Sequence, residues 1–310
     1  MQILVTGGAG YIGSVLVEKL LSKGFKVSVI DNLMYRQTSL AHLIRNPNFT
    51  FHYGDVRDTT KMSALIKTAD VVIPLAAIVG APACAKDELL STSVNRDSVI
   101  QLFKMLGKNQ IVLMPTTNSA YGKGGPDGFC DEESTLNPIS LYAKDKVQVE
   151  TELMKLPNAT SFRLATAFGV SPRMRLDLLV NNFVFKALSD RYLVVFEGHF
   201  RRNYIHLHDI SQAFLLALSN FDSFRGEIFN VGLSSANLTK IELCKLISEE
   251  VADFVFYEAE VGSDPDQRDY LVSNSKIESR GFSPEISLRE GVRELIRAYS
   301  MFNQQPFTNL

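Results

Sequence analysis

Three glycines, Gly7, Gly10 and Gly13, stand between an apolar run of strand type, Ile3 to Val5, and an apolar rhythm of helical period starting near Tyr11. Gly7 permits a tight turn, Gly10 lets the backbone come close to a pyrophosphate, and Gly13 lets helix and strand pack together. The unpaired amides of the first helical turn, those of Tyr11 and Ile12 among them, then face two phosphates. A second apolar strand, residues 26–31, closes on Asp31 and is followed by Asn32. A carboxylate there accepts hydrogen bonds from an adenosine ribose and repels a 2′-phosphate, so the pattern predicts NAD rather than NADP.

Strand and helix signals then alternate. A polar loop and a short helix near 39–45 lead to a strand at 49–53, with Asp55 and Val56 just beyond it. Asp55 is placed to meet an adenine amino group and Val56 to flank the ring, although a turn or N-cap aspartate fits as well. A helix near 59–68 precedes residues 69–77, whose lack of alternation is that of a buried parallel strand. The residues at its end, Leu75, Ala76 and Ala77, let the nicotinamide ribose come close. Helical periodicity resumes at about 87–107, where Asn95 suits either a reach to backbone near the site or a satisfied structural position.

Residues 110–115 and 158–168 read as further strands. This repetition predicts an α/β fold, a doubly wound parallel-sheet Rossmann domain rather than a barrel. Beyond 168 the alternation fails, apart from a core helix at 210–218 and a late strand at 227–231. The expected division is therefore a dinucleotide-binding domain over 1–170 plus about 204–231. A smaller, discontinuous substrate lobe takes 171–203 and 232–310.

With 310 residues, 45% of them hydrophobic, the chain can bury a large core. Its formal net charge of -2 gives no basic excess for nucleic acid or an anionic membrane surface, so an anionic ligand must be held by a few local arginines. Cys84, Cys130 and Cys244 form no metal-ligand pattern, and His199, His206 and His208 have no ligand-like companions, so no metal is expected. The odd cysteine count favours a reducing compartment. No apolar run reaches spanning length and the fold starts at residue 2, so the expected location is cytoplasmic.

The chemistry concentrates at Thr117, Tyr142 and Lys146. Tyr142 and Lys146 are four apart and share a helical face, whereas Lys144 points away. An ammonium beside a phenol favours the phenolate, which can take a proton from a sugar hydroxyl as hydride leaves the same carbon. The Thr117 hydroxyl, at a strand tip, can hydrogen-bond the reacting oxygen. Arg173 and Arg175 lie in a polar loop just after a sheet strand, the expected place for a ligand. Arg201, Arg202 and Arg268 are further candidates for a diphosphate, which guanidinium forks match well.

The glycine turn, Asp31, Asp55-Val56, Leu75-Ala76-Ala77, Thr117 four residues before Tyr121-Gly122, and Tyr142 with Lys146 together resemble the extended short-chain dehydrogenase/reductases, the sugar-nucleotide epimerases and dehydratases. The resemblance implies that Thr117, Tyr142 and Lys146 are the catalytic hydroxyl, base and lysine, with NAD lying across the sheet. It also implies that Arg202 and Arg268 meet the diphosphate of a nucleotide sugar, with Val79, Gly80, Asn118 and Ser119 near the sugar. The 4,6-dehydratases of the family follow their threonine with an Asp-Glu pair, and here the pair is Asn118-Ser119. Neither side chain titrates usefully near neutrality, which argues against dehydration and for oxidation, reduction or epimerisation at one carbon, C4.

Five segments (79–82, 116–122, 172–180, 199–206 and 232–239) resemble one branch of the family, the GDP-heptose 4-dehydrogenases of bacterial capsule synthesis. That branch implies tightly held NAD and a 2-oxo acid, 2-oxoglutarate, as acceptor. The family likeness also implies a homodimer or homotetramer built on the tyrosine–lysine helix and residues 87–107, with Val94, Leu102 and Leu106 as candidate contacts, although a core role explains these three as well.

Overall fold

A computed structural model of the chain describes residues 1–36, 38–124, 129–260 and 268–302. In chain order its strands are β1 (Gln2–Thr6), β2 (Lys26–Asp31), β3 (Phe49–Tyr53), β4 (Val71–Pro74), β5 (Ile111–Thr117), β6 (Phe129–Cys130) and β7 (Ala159–Leu164). They continue as β8 (Thr166–Phe168), β9 (Tyr192–Val195), β10 (Arg201–His206), β11 (Glu227–Val231), β12 (Asn237–Thr239), β13 (Val255–Glu258) and β14 (Leu271–Val272). Seven of these form one parallel sheet in the order β11-β7-β5-β4-β1-β2-β3. The order reverses between β1 and β4, and the crevice where ligands of such sheets bind lies beyond the C-terminal ends of these strands.

Both faces of the sheet are buried. On β1, Ile3 and Val5 enter one apolar cluster with Leu16 and Val17 of the Tyr11–Ser22 helix and Phe214 of the Leu207–Ser219 helix. Leu4 points the other way, into a cluster with Met62, Val99, Leu102 and Val149. This alternation with no polar face is why strand 69–77 reads as an unbroken apolar run. Leu102 is therefore a core residue, 4% exposed, and is not a surface contact as the helical pattern allowed.

Three expected elements come out differently. The helix near 39–45 is only a 3₁₀ turn, Ala41–Leu43, with no buried residue to hold a longer one. The run 87–107 is broken into Glu88–Thr92, a π-helical turn at Ser93–Asp97, and Ser98–Met105. The strand expected over 158–168 splits at Ala165, whose amide donates to the Val231 carbonyl at 2.9 Å. β7 stays in the main sheet, while β8 leaves it and pairs with β10, which pairs with β12. Within β10, residues 204–206 pair with 166–168 of the expected dinucleotide domain, and residues 201–203 pair with 237–239 of the expected second lobe.

Among the described residues no helix is long and apolar enough to cross a membrane.

Candidate active site

The glycine turn is held by sterics. Gly7 sits at φ +67°, and its amide donates to the Ile30 carbonyl at 2.8 Å. A side-chain carbon there would lie 2.5 Å from the Ala76 backbone, so β1 and β4 approach as closely as they do only through glycine. The Tyr11–Ser22 helix begins at Gly10 with no side-chain cap and no acid in its first turn. Its leading amides and positive dipole end are left for an anion, an arrangement that fits a pyrophosphate.

A cavity of about 640 Å³ opens along this crevice. Lining it are Gly7, Gly10, Tyr11, Ile12, Gly13, Asp31, Asn32, Asp55, Val56, Leu75, Ala76, Ala77, Val79 and Gly80. Thr117, Ser119, Tyr142, Lys146, Arg173, Arg175, Arg202 and Arg268 line the same space, so the structure brings nearly all sequence-derived candidates together. Asn95 and Asn118 do not line it.

Asn95 is wholly buried, and its amide takes the Ile78 amide at 2.8 Å and gives to the Ile78 carbonyl at 2.9 Å and Ser91 Oγ at 3.1 Å. It clamps the loop after β4 and has no atom left for a cofactor. Asn118, 1% exposed, has neither side-chain oxygen nor nitrogen hydrogen-bonded among the described residues.

At the nucleoside end, each Asp31 oxygen accepts one backbone amide, from Ala9 at 3.0 Å and Leu33 at 2.9 Å, and keeps lone pairs for a ribose. Burial pushes the Asp31 carboxyl up, against these two amides and Arg173. Asp55 is gripped by Arg57 through two bonds of 2.8 Å, and that pairing lowers its carboxyl to about 2. Arg173 stacks 4.5 Å over the Tyr35 ring in the same cavity, and its charge also acts on Asp31.

Loop 169–175 is tied to the first helix. The Tyr11 hydroxyl donates to the Gly169 carbonyl at 2.7 Å, Ser14 and Ser171 hydroxyls meet at 2.9 Å, and Ser171 donates to the Tyr11 carbonyl at 2.8 Å.

At the reaction centre, Thr117 Oγ1 donates to Ser119 Oγ at 2.9 Å and accepts the Ser119 amide at 3.1 Å. Arg268 also donates to Ser119 Oγ. Tyr142 and Lys146 rise from the Leu141–Leu153 helix, which Ser140 caps through the Ala143 amide. The Lys146 ammonium lies 5.9 Å from the centre of the Tyr142 ring and donates to the Pro115 carbonyl at 3.4 Å. Burial pushes Lys146 down to about 8. The Tyr142 phenol goes up to about 12, chiefly by burial and against the pull of Arg175 and Arg268. The sequence pattern leads one to expect a lowered phenol. Desolvation raises it here, and the charges that pull it down are those of Arg175 and Arg268, while the Lys146 ammonium lies over the ring. Lys144 is exposed, as its position predicts.

Arg175 pairs with Asp177 and reaches the Val79 carbonyl at 3.4 Å. Arg201 is taken by Asp269, at 3.0 Å, and does not line the cavity. Arg202 does line it, near Tyr270. Residues 264–267, which lead into Arg268, lie outside the described residues.

Lys240, Tyr270 and Tyr35 also line the cavity and were missed. The capping box of Thr239 and Glu242 marks Lys240 as the first residue of a helix, a signal that was available. Nothing local shows which way its side chain turns.

A family model described as NAD dependent epimerase/dehydratase family matches residues 3–232. The chain is 29% identical over 312 residues to a putative UDP-glucose 4-epimerase of Methanocaldococcus jannaschii, covering 95% of this chain and 97% of that one. It is 30% identical over 315 residues to the low-salt glycan biosynthesis protein Agl12 of Haloferax volcanii, covering 96% and 98%. Among solved structures it resembles DesIV, the dTDP-glucose 4,6-dehydratase of Streptomyces venezuelae with NAD and TYD bound. There the TM-score is 0.83 and the identity 26%, with 97% of each chain covered.

Proposed function

The chain belongs to the NAD dependent epimerase/dehydratase family, and from that premise we propose that it oxidises the C4 hydroxyl of GDP-D-glycero-α-D-manno-heptose to the 4-keto sugar. The coarser statement stands by itself: this is an NAD-dependent oxidoreductase acting on CH–OH groups of nucleotide sugars. Tightly held NAD would supply the acceptor for the C4 hydride, and a 2-oxo acid such as 2-oxoglutarate would then take that hydride and a proton and become the 2-hydroxy acid.

The chain's residues divide the work. The first-turn amides of the Tyr11–Ser22 helix hold the pyrophosphate, Asp31 the adenosine ribose and Asp55 the adenine amino group, while small Ala76 and Ala77 leave room for the second ribose. Tyr142 takes the C4 hydroxyl proton, Thr117 turns its hydroxyl from Ser119 to that oxygen, and Lys146 holds the ribose and supports the phenolate. Arg202 and Arg268 take the sugar-nucleotide diphosphate. Two lobes divided near residue 170, a cytoplasmic setting and a homodimer or homotetramer complete the reading.

The observation that carries it is the Asn118-Ser119 turn beside Thr117. Thr117, Tyr142 and Lys146 line one cavity, where in this reading they serve proton transfer at one carbon. Neither residue of the turn supplies the acid and base that loss of water across C5–C6 needs. The GDP-heptose assignment rests on the five segments that resemble that branch.

A putative UDP-glucose 4-epimerase is among the relatives, and a second reading runs the same residues the other way, with the Tyr142 phenol returning a proton to a keto oxygen. That is the reducing half of a 4-epimerase or of a 4-keto reductase.

The test is to incubate the purified protein with GDP-D-glycero-D-manno-heptose, with and without 2-oxoglutarate, and weigh the product. A product lighter by two hydrogens, accumulating only with the oxo acid, supports the proposal. Unchanged mass with altered stereochemistry replaces it with the epimerase, and loss of water removes the argument from Asn118-Ser119.

A further inference from the structure

The catalytic helix carries a third side chain on its working face. Tyr142, Lys146 and Glu150 recur every four residues and so align. Glu150 is 4% exposed and does not line the cavity, yet one of its partners, Thr116, does. Its Oε2 accepts from Thr116 Oγ1 at 3.0 Å and Ser161 Oγ at 2.6 Å. Arg163 forks onto both oxygens, with Nη2 at 2.7 Å from Oε1 and Nε at 3.1 and 3.2 Å.

The remaining nitrogen of Arg163, Nη1, donates to the Tyr121 hydroxyl at 3.0 Å and the Glu132 carbonyl at 3.1 Å. Tyr121 donates onward to Asn230 Oδ1 at 2.7 Å. Thr116 immediately precedes Thr117, and Tyr121 ends the turn that holds Asn118 and Ser119. One buried carboxylate therefore joins the helix of Tyr142 and Lys146 to both ends of the Thr117 turn.

We propose that Glu150, together with Arg163, is a positioning pair that sets the Tyr142–Lys146 face against the Thr117 turn. A buried ion pair is a weak means of stabilisation, since apolar side chains of similar volume commonly do as well. What a bidentate fork adds is direction. Apolar contact has none. Proton and hydride transfer depend on small displacements between the reacting groups, so a directional anchor one turn behind Lys146 acts on rate rather than on binding. The inference rests on the reading of Thr117, Tyr142 and Lys146 as the reacting groups.

The test uses the paired substitution Glu150→Met with Arg163→Met, which leaves neither charge unpaired, and Thr116→Val, which removes one bond to Glu150. Two readouts are taken on the intact protein. One is the rate at which bound NAD is reduced by substrate, with KM. The other is the titration of Lys146, followed by carbon NMR of labelled lysine and assigned with Lys146→Met.

The expected result for the folded double variant is retained NAD, KM within about threefold, reduction slower by about tenfold or more, and a displaced Lys146 titration. Thr116→Val should slow reduction about threefold at an unchanged melting temperature and decides the matter if the double variant does not fold. Wild-type rates with an unmoved Lys146 titration overturn the proposal. If the wild-type protein reduces NAD with no nucleotide sugar, the functional reading fails, and the Lys146 titration alone still decides whether Glu150 positions it.

Discussion

The Lys146 ammonium stands over the face of the Tyr142 ring, 5.9 Å from its centre, and makes no hydrogen bond to the phenol among the described residues. Both groups are displaced toward their neutral forms, the tyrosine up to about 12 and the lysine down to about 8, each chiefly by burial. A dry pocket penalises both charges, so proton transfer from a sugar hydroxyl depends on positive charge gathered around the phenol, to which Arg175 and Arg268 already contribute.

Replacing Tyr142 by Phe removes the hydroxyl that takes the substrate proton in the proposed reaction. Turnover should fall by about a thousandfold while NAD stays bound, measured as product formed and as nucleotide released on denaturation. Unchanged turnover would remove Tyr142 from its role.

Lys146→Met should change how stability depends on pH. The ordinary lysine value is about 10.4, and in the folded protein Lys146 is near 8. Between these values the unfolded chain binds the extra proton, so this group makes stability rise with pH across about 8 to 10. Below 8 its penalty is fully present, worth at most about 3 kcal/mol. The Met variant should therefore unfold at higher temperature than wild type at pH 7, with the gap closing by about pH 10. A gap that does not depend on pH would place the lysine in a wetter setting.

Gly7→Ala puts a methyl group 2.5 Å from the Ala76 backbone at φ +67°. The strain and the separation of β1 from β4 should cost about 2–4 kcal/mol in denaturant unfolding and deplete bound NAD. Wild-type stability would mean that the turn has room to shift.

Asp31→Ala should narrow the preference for NAD over NADP. With the carboxylate gone, a 2′-phosphate meets no like charge, and Arg173 nearby becomes a partner for it. The ratio of the two affinities should move toward NADP by about tenfold or more, read by calorimetry on protein stripped of nucleotide. An unmoved ratio would take Asp31 out of the ribose site.

Much of this was legible along the chain because the determinants are local. Gly7, Gly10 and Gly13 answer to a turn and a helix start, and β4 reads as buried because both its faces are. Tyr142 and Lys146 need only helical spacing to meet. What stayed hidden was set by contacts between distant segments. Asn95 suits either a reach to backbone near the site or a satisfied structural position, and only the contact with Ile78, 17 residues earlier, shows the second. Arg173 turned to Tyr35 and Asp31 because Ser14, Tyr11 and Ser171 stitch its loop to the first helix. The split of β7 from β8 at Ala165 depends on a bond to Val231, and no local residue announces it. The direction of the Tyr142 shift was hidden for the same reason, since desolvation is a property of the assembled pocket.

The central claim is that this cavity oxidises one sugar carbon and stops there. Its most direct test is the absorbance of NADH after GDP-D-glycero-D-manno-heptose is added to the purified protein with no cofactor supplied. The account predicts a rise of at most one NADH per subunit that persists until 2-oxoglutarate is added and then decays, with a product two hydrogens lighter than the substrate. Absorbance that never rises, or a product lighter by one water, would contradict it.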